Sequence, residues 1–182
     1  MAKDGIILYS SKTGYSKRYA EYLAEELDYT IKPIQKANLF NVSCYPVVIY
    51  GGGLKHNRID GLRGIIDGFK YLGDQTLIIF SAGLASLNDD LIKQIKAHNF
   101  PEFMSDAYVY QPLPGGLHRK DCEGNGPVAK EVALYLQKRD EHKKLTRGDK
   151  LALAIAEGQT PDQDRFDTSA CATIIQAARC HV

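Results

Sequence analysis

Gly5-Ile6-Ile7-Leu8-Tyr9-Ser10-Ser11-Lys12-Thr13-Gly14-Tyr15-Ser16 passes from an apolar run into a hydroxyl-rich turn and then into an amphipathic segment. The run Ile6–Tyr9 predicts a first strand. Over Tyr15–Leu27, residues Tyr19, Leu23 and Leu27, with Ala20 and Ala24 beside them, form one apolar stripe and predict a first helix. A strand, turn and helix in that order bring the Ser11, Thr13 and Ser16 hydroxyls and free backbone N–H groups to the positive end of the helix. Gly14 lets the main chain come close to an anion. The stretch therefore reads as a phosphate seat.

Working outward, the same alternation repeats. Pro46–Tyr50 is followed by helical spacing over Ile59–Leu72 (Leu62, Ile65, Ile66, Phe69). Thr76–Phe80 is followed by Leu87–His98 (Leu87, Leu91, Ile92, Ile95), and Ala107–Tyr110 by Val128–Lys138 (Val128, Val132, Tyr135, Leu136). Thr30–Gln35 is a weaker alternating run that reads as an edge strand. Apolar runs with almost no polar interruption imply strands covered on both faces, the mark of a parallel sheet flanked by helices. The expected fold is an α/β open sandwich with five strands in the order 2-1-3-4-5, helices on both faces and a helical C-terminal tail. Its ligand edge lies beyond the carboxyl ends of the strands.

The 182 residues predict one domain over 1–140 and a polar, partly helical extension over 141–182 that packs on the domain or serves self-association. A formal net charge of +1 and a pI near 7.7 argue against a nucleic-acid-binding surface. No apolar stretch reaches membrane-spanning length, and Met1–Asp4 leads straight into a strand, so a cytoplasmic protein is expected. Cys44, Cys122, Cys171 and Cys180 form no CxxC pair, and neither His118 with Cys122 nor Cys180 with His181 completes a metal ligand set; reduced thiols and no metal are expected.

Three stretches at the predicted ligand edge are rich in small residues: Gly51-Gly52-Gly53-Leu54-Lys55-His56-Asn57, Ser81-Ala82-Gly83-Leu84-Ala85-Ser86 and Pro112-Leu113-Pro114-Gly115-Gly116-Leu117-His118. Read as loops, they allow backbone to approach a flat ligand closely. Lys12, Lys55, His56, Arg58, His118, Arg119 and Lys120 fall in the same region, with Asp121 and Glu123 the only nearby opposition. Such a basic rim attracts an anionic small molecule or an acidic protein partner.

The segment Ser11–Ser16, leading into Lys17-Arg18-Tyr19-Ala20, resembles the flavodoxin phosphate loop, hydroxyl-x-hydroxyl-Gly-x-hydroxyl. More narrowly, Val47–Lys55 and Leu113-Pro114-Gly115-Gly116-Leu117 are similar to flavodoxin-domain proteins related to menaquinone-dependent protoporphyrinogen dehydrogenase. The resemblance covers roughly residues 5–140. It implies FMN as cofactor, with Ser11, Lys12, Thr13, Gly14, Tyr15 and Ser16 at the phosphate. Gly51, Gly52, Gly53 and Leu54, with Ser81, Ala82, Gly83 and Leu84, would then flank the ring. Gly52 or Gly53 is the candidate for a peptide that reorients on flavin reduction. It further implies an FMN-dependent oxidoreductase acting on a small organic substrate or quinone and a redox partner. An electron carrier without enzymatic activity and a binding module without tight cofactor stand as alternatives. Should a proton be handled, His56 and His118 are the nearest candidates. The absence of Trp and of a tyrosine pair from the ring-side stretches departs from the pattern of many flavodoxins, leaving Leu54, His56 and Leu84 as cover.

Overall fold

The computed structural model describes residues 4–68, 75–104 and 107–180. Its main sheet contains β1 (Gly5–Ser10), β2 (Thr30–Pro33), β3 (Val47–Lys55), β4 (Arg58–Ile59), β5 (Thr76–Gly83) and β6 (Val109–Pro114). Five of these run parallel in the order β2-β1-β3-β5-β6, while β4 hooks back antiparallel on the end of β3. Counted over the parallel strands, this is the expected 2-1-3-4-5.

Alternation along each strand divides the core. Ile7, Ile49, Ile78 and Phe80 pack on one face with Tyr19 and Leu23 of α1 (Tyr15–Leu27). Ile6, Leu8, Val48, Tyr50, Leu77 and Ile79 pack on the other with Val42 of α2 (Leu39–Val42), Leu62 and Ile65 of α3 (Leu62–Gly68), and Ile95 of α4 (Asp89–Asn99). Both faces are covered, so neither can carry polar residues without leaving them unpaired; this is why the runs read as almost purely apolar. Phe69 and the end of the second predicted helix, together with His181, lie outside the described residues.

The strands run further than the apolar runs. The glycine-rich stretch after Tyr50 was expected to be loop, but Gly51–Lys55 continues β3, with Gly51 paired to Tyr9 and Phe80, Gly52 to Ser10 and Ser81, and Gly53 to Ala82. Ser81–Gly83 likewise belongs to β5, and Pro112–Pro114 to β6, an edge strand on which proline's missing N–H is tolerated. The glycines serve close approach within the sheet: a Cβ on Gly51 would run into the Phe80 ring, and one on Gly52 into Ile59 and the Asp60 carbonyl. The positive φ expected of the loop occurs instead at His56 (48°) and Asn57 (61°), the two central residues of the β3–β4 hairpin. Ile59, expected to open a helix, is part of β4, and α3 begins at Leu62.

After β6 the chain leaves the sheet through β7 (Gly116–Leu117), forms α5 (Pro127–Asp140) and α6 (Arg147–Ala156), and returns through β8 (Gln163–Asp164) to α7 (Ala172–Arg179). β7 and β8 pair antiparallel, Gly116 with Asp164 and Leu117 with Gln163, so the excursion departs and returns at one place. Val128, Val132 and Tyr135 of α5 pack on Ala152, Leu153 and Ile155 of α6 and on Leu117, a core separate from those of the sheet. The helix beside α1 on the sheet is α7, through Ile174, Ala178 and the adjacent Cys171. The boundary expected near 140 thus falls between two helices that pack on each other. Periodicity shows that a helix has an apolar face, but not which surface covers it. α6 starts with a capping box in which Thr146 Oγ1 accepts from the Asp149 N–H (3.2 Å) and Asp149 Oδ2 accepts from the Thr146 N–H (3.0 Å).

Candidate functional site

The turn between β1 and α1 ends at Gly14, with φ of 90°, which caps the helix without a side-chain hydrogen bond. The first-turn N–H groups of α1 thus keep no intrahelical acceptor and no side-chain cap. Ser11 Oγ is buried and has no hydrogen-bond partner, an arrangement that suits a ligand acceptor. Ser16 is buried at the start of the helix. Tyr15 is also buried, but its hydroxyl turns away to the Gln163 carbonyl (3.2 Å) and His118 Nε2 (3.4 Å), and burial pushes that hydroxyl up to about 12.

Two adjoining cavities lie beside this turn. A narrow cleft of about 70 Å³ is lined by Lys12, Thr13, Gly53, Leu54, Ala82, Gly83, Leu84 and Gly115, among others. A chamber of about 690 Å³ lies between the ends of β3 and β5 and the α5–α6 excursion. Thr13, Leu54, Lys55, Leu84 and Glu131 line both. The chamber's wall joins Leu117, Val128, Val132, Tyr135 and Ala152 to many polar and charged side chains, among them His56, Asp90, His98, Glu131, Arg147 and Asp149. A concave space of this size that offers both apolar surface and polar groups has the character of a small-molecule site.

The expected basic rim is largely neutralised. Lys12 Nζ lies 2.7 Å from Glu131 Oε1 and 3.7 Å from Asp60 Oδ1, and Lys55 Nζ lies 3.2 Å from the same Glu131 oxygen. The Glu131 hydrogen bond, with help from Asp60, raises the Lys12 ammonium above its ordinary value despite partial desolvation. His118 Nδ1 meets Asp162 at 3.2 Å, and Arg119 reaches Glu123 at 3.9 Å. Apart from Glu123, the acidic groups that supply this opposition, Asp60, Glu131 and Asp162, lie far along the chain from their partners, so neighbours in sequence could not reveal them.

His56 lies 3.1 Å from Asp149 Oδ2 and 3.0 Å from Lys138 Nζ through Nε2, with its ring edge-on to Tyr135 at 5.5 Å. Burial lowers its proton affinity. Asp149 and Glu131 oppose the shift, while Lys138 and Lys55 add to it. A folded value below the unfolded 6.5 means that the unfolded chain binds more protons here. The contribution is therefore complete above pH 6.5 and is lost as pH falls through the folded value. His56→Asn, which keeps a residue tolerant of positive φ, is expected to flatten the acid limb of stability against pH. Urea melts of both proteins between about pH 5 and 8 check this; a steeper acid limb in the variant contradicts it.

Of the residues singled out from sequence, Lys12, Thr13, Tyr15, Gly53, Leu54, Ala82, Gly83 and Leu84 meet around the narrow cleft. Gly51, Gly52 and Ser81 lie within the paired sheet, where Ser81 Oγ is 2.7 Å from the Tyr110 hydroxyl. The Gly53 carbonyl accepts from the Asp60 N–H (2.9 Å), which holds the peptide expected to reorient. His56 lines the chamber; His118 instead stacks on Tyr15 and joins it to Asp162. Among the described residues no group of three or more His, Cys, Asp or Glu side chains could hold a metal.

Sequence reading missed Glu131, Tyr135, Lys138 and Asp149. A signal was present for the first: Glu131 interrupts the stripe Val128, Val132, Tyr135 as a charge on an apolar face. Asp149, three residues after Thr146, fits a helix-start signature, which accounts for its burial. Arg165, also missed, donates from Nη2 to the Leu84 carbonyl and tethers the residue after β5.

The fold and site define a doubly wound α/β protein with a glycine-capped strand–helix turn at its sheet edge and a helical cover over the adjoining chamber. The chain belongs to the flavodoxin-domain family, whose model matches residues 6–111. Similar solved structures include the Trp repressor binding protein of Bacillus subtilis (14% identity, TM-score 0.46, covering 68% of this chain and 86% of that one). Others are a WrbA-like flavodoxin of Agrobacterium tumefaciens (15%, 0.45, all of both chains) and a Lactobacillus acidophilus flavoprotein in complex with FMN (16%, 0.43, 62% and 93%). No curated protein sequence matches the chain. No helix among the described residues is long and apolar enough to cross a membrane.

Proposed function

We propose that the chain binds FMN and acts as an oxidoreductase that moves electrons between a small organic substrate or quinone and a redox partner. The observation that carries this reading is that the cleft beside the β1–α1 turn adjoins a chamber of mixed apolar and polar lining, through walls shared by Thr13, Leu54, Lys55, Leu84 and Glu131. In this reading Ser11, Thr13 and Ser16, with the N–H groups from Gly14 onward, hold the phosphate. Lys12 sets the charge beside it. Tyr15 contributes backbone, since its side chain is engaged elsewhere. Leu54 and Leu84 cover the ring, and Tyr135 supplies from α5 the aromatic surface that the ring-side strands lack. When bound, the flavin would supply the redox chemistry.

The α5–α6 cover favours a small-molecule reaction over exchange with a large protein surface, because it stands over the chamber beside both ring-side strands. The narrower family resemblance supports a quinone as one electron partner. Retention of flavin bands after ultrafiltration tests the cofactor. Stopped-flow oxidation of the reduced flavoprotein then tests the role: a water-soluble benzoquinone is expected to react much faster than a protein acceptor of similar potential. Equal or faster reaction with the protein acceptor overturns the enzyme reading in favour of a carrier.

A further inference from the structure

Glu131 lines both the cleft and the chamber. It is set there by α5, one turn from Val128 and Tyr135, which anchor that helix face in its core. Two ammonium groups, Lys12 at 2.7 Å and Lys55 at 3.2 Å, converge on its Oε1, and the side chain is only 19% exposed. These contacts fix the carboxylate in place. An ionised carboxylate offers about four acceptor sites and no donor, so two lysines leave acceptor capacity unused. A ligand with an anion at the seat and a planar ring in the chamber must lay its linker past Glu131. A linker of hydroxyl groups can donate there.

We propose that Glu131 is the specificity residue for that linker: its carboxylate accepts hydrogen bonds from the polyol chain of the bound flavin. This role rests on the cofactor reading above. The test is fluorescence titration of the purified protein with FMN, riboflavin and lumiflavin, which share the ring and differ in the side chain. Glu131→Gln is expected to weaken FMN and riboflavin by about tenfold, the scale of a charge-assisted hydrogen bond, while changing lumiflavin by less than twofold. Lys55→Met, which removes one ion pair and keeps the carboxylate, is expected to preserve the preference for polyol-bearing flavins. Equal weakening of all three flavins by Glu131→Gln, or tighter FMN binding, overturns the role while leaving the cofactor reading intact. Loss of the polyol preference in Lys55→Met also overturns it, since the effect would then follow docking of α5. Failure of the unaltered protein to bind any of the three overturns the cofactor reading and this role together.

Discussion

Ser11→Ala combined with Thr13→Ala is expected to weaken FMN binding by about a hundredfold. A hydrogen bond to a charged group contributes about 1.5 kcal/mol at the low end, and two such losses correspond to roughly two decades in Kd. The cost should not extend to the fold. Ser11 Oγ is buried without a partner, so removing it relieves an unsatisfied hydroxyl, and Ser11→Ala alone is expected to hold or raise Tm. Weaker binding with undiminished thermal stability separates a ligand contact from a structural one. Unchanged flavin affinity in the double variant would remove the phosphate seat from the site.

Gly51→Ala is expected to have the opposite profile, with a large loss of stability from a single methyl group. Gly51 lies in the central strand β3, between β1 and β5, and its added Cβ would enter the Phe80 ring. That ring is itself fully buried against Tyr19 in an edge-on contact at 6.3 Å, so it has no free direction in which to move. Overpacking of this kind costs roughly 3 kcal/mol, which for a chain of this length lowers Tm by about 6–12 °C. Differential scanning calorimetry reads the shift. Gly53→Ala is the matched control, because a Cβ there meets nothing within 4 Å. Comparable loss in both would place the effect in the glycine backbone rather than in the Phe80 contact.

The sheet was legible because its cause is local. Ile6–Tyr9, Pro46–Tyr50 and Thr76–Phe80 are apolar almost throughout, and that pattern suits strands covered on both sides. The strand ends were less legible. Gly51–Gly53 has the composition of a turn, and only the partner strands on either side make it sheet. The phosphate-seat candidates could be placed for the same local reason, since one strand, one turn and one helix carry them. The other wall of the site depends on contacts no window of sequence spans: Lys12 meets Glu131 across 119 residues, and His56 meets Lys138 across 82. Helical periodicity likewise identified the α5 segment as amphipathic, but could not say that it covers the chamber while α7 covers the sheet. That choice is made by the β7–β8 pair, whose two-residue strands carry no periodic signal.

The β7–β8 pairing brings Gly116 beside Asp164, so some fifty residues begin and end at neighbouring points of the same edge. Beyond that junction the chain resumes with Phe166, packed on Tyr19 at 4.5 Å and under the Arg18 guanidinium, and proceeds into the helix that completes the sheet layer. The scaffold and its cover are therefore separable in the design sense: the intervening segment can be lengthened, recombined with that of another chain or rebuilt without rerouting any parallel strand. The chamber wall that α5 supplies, Glu131 and Tyr135 included, can consequently diversify on an unchanged frame.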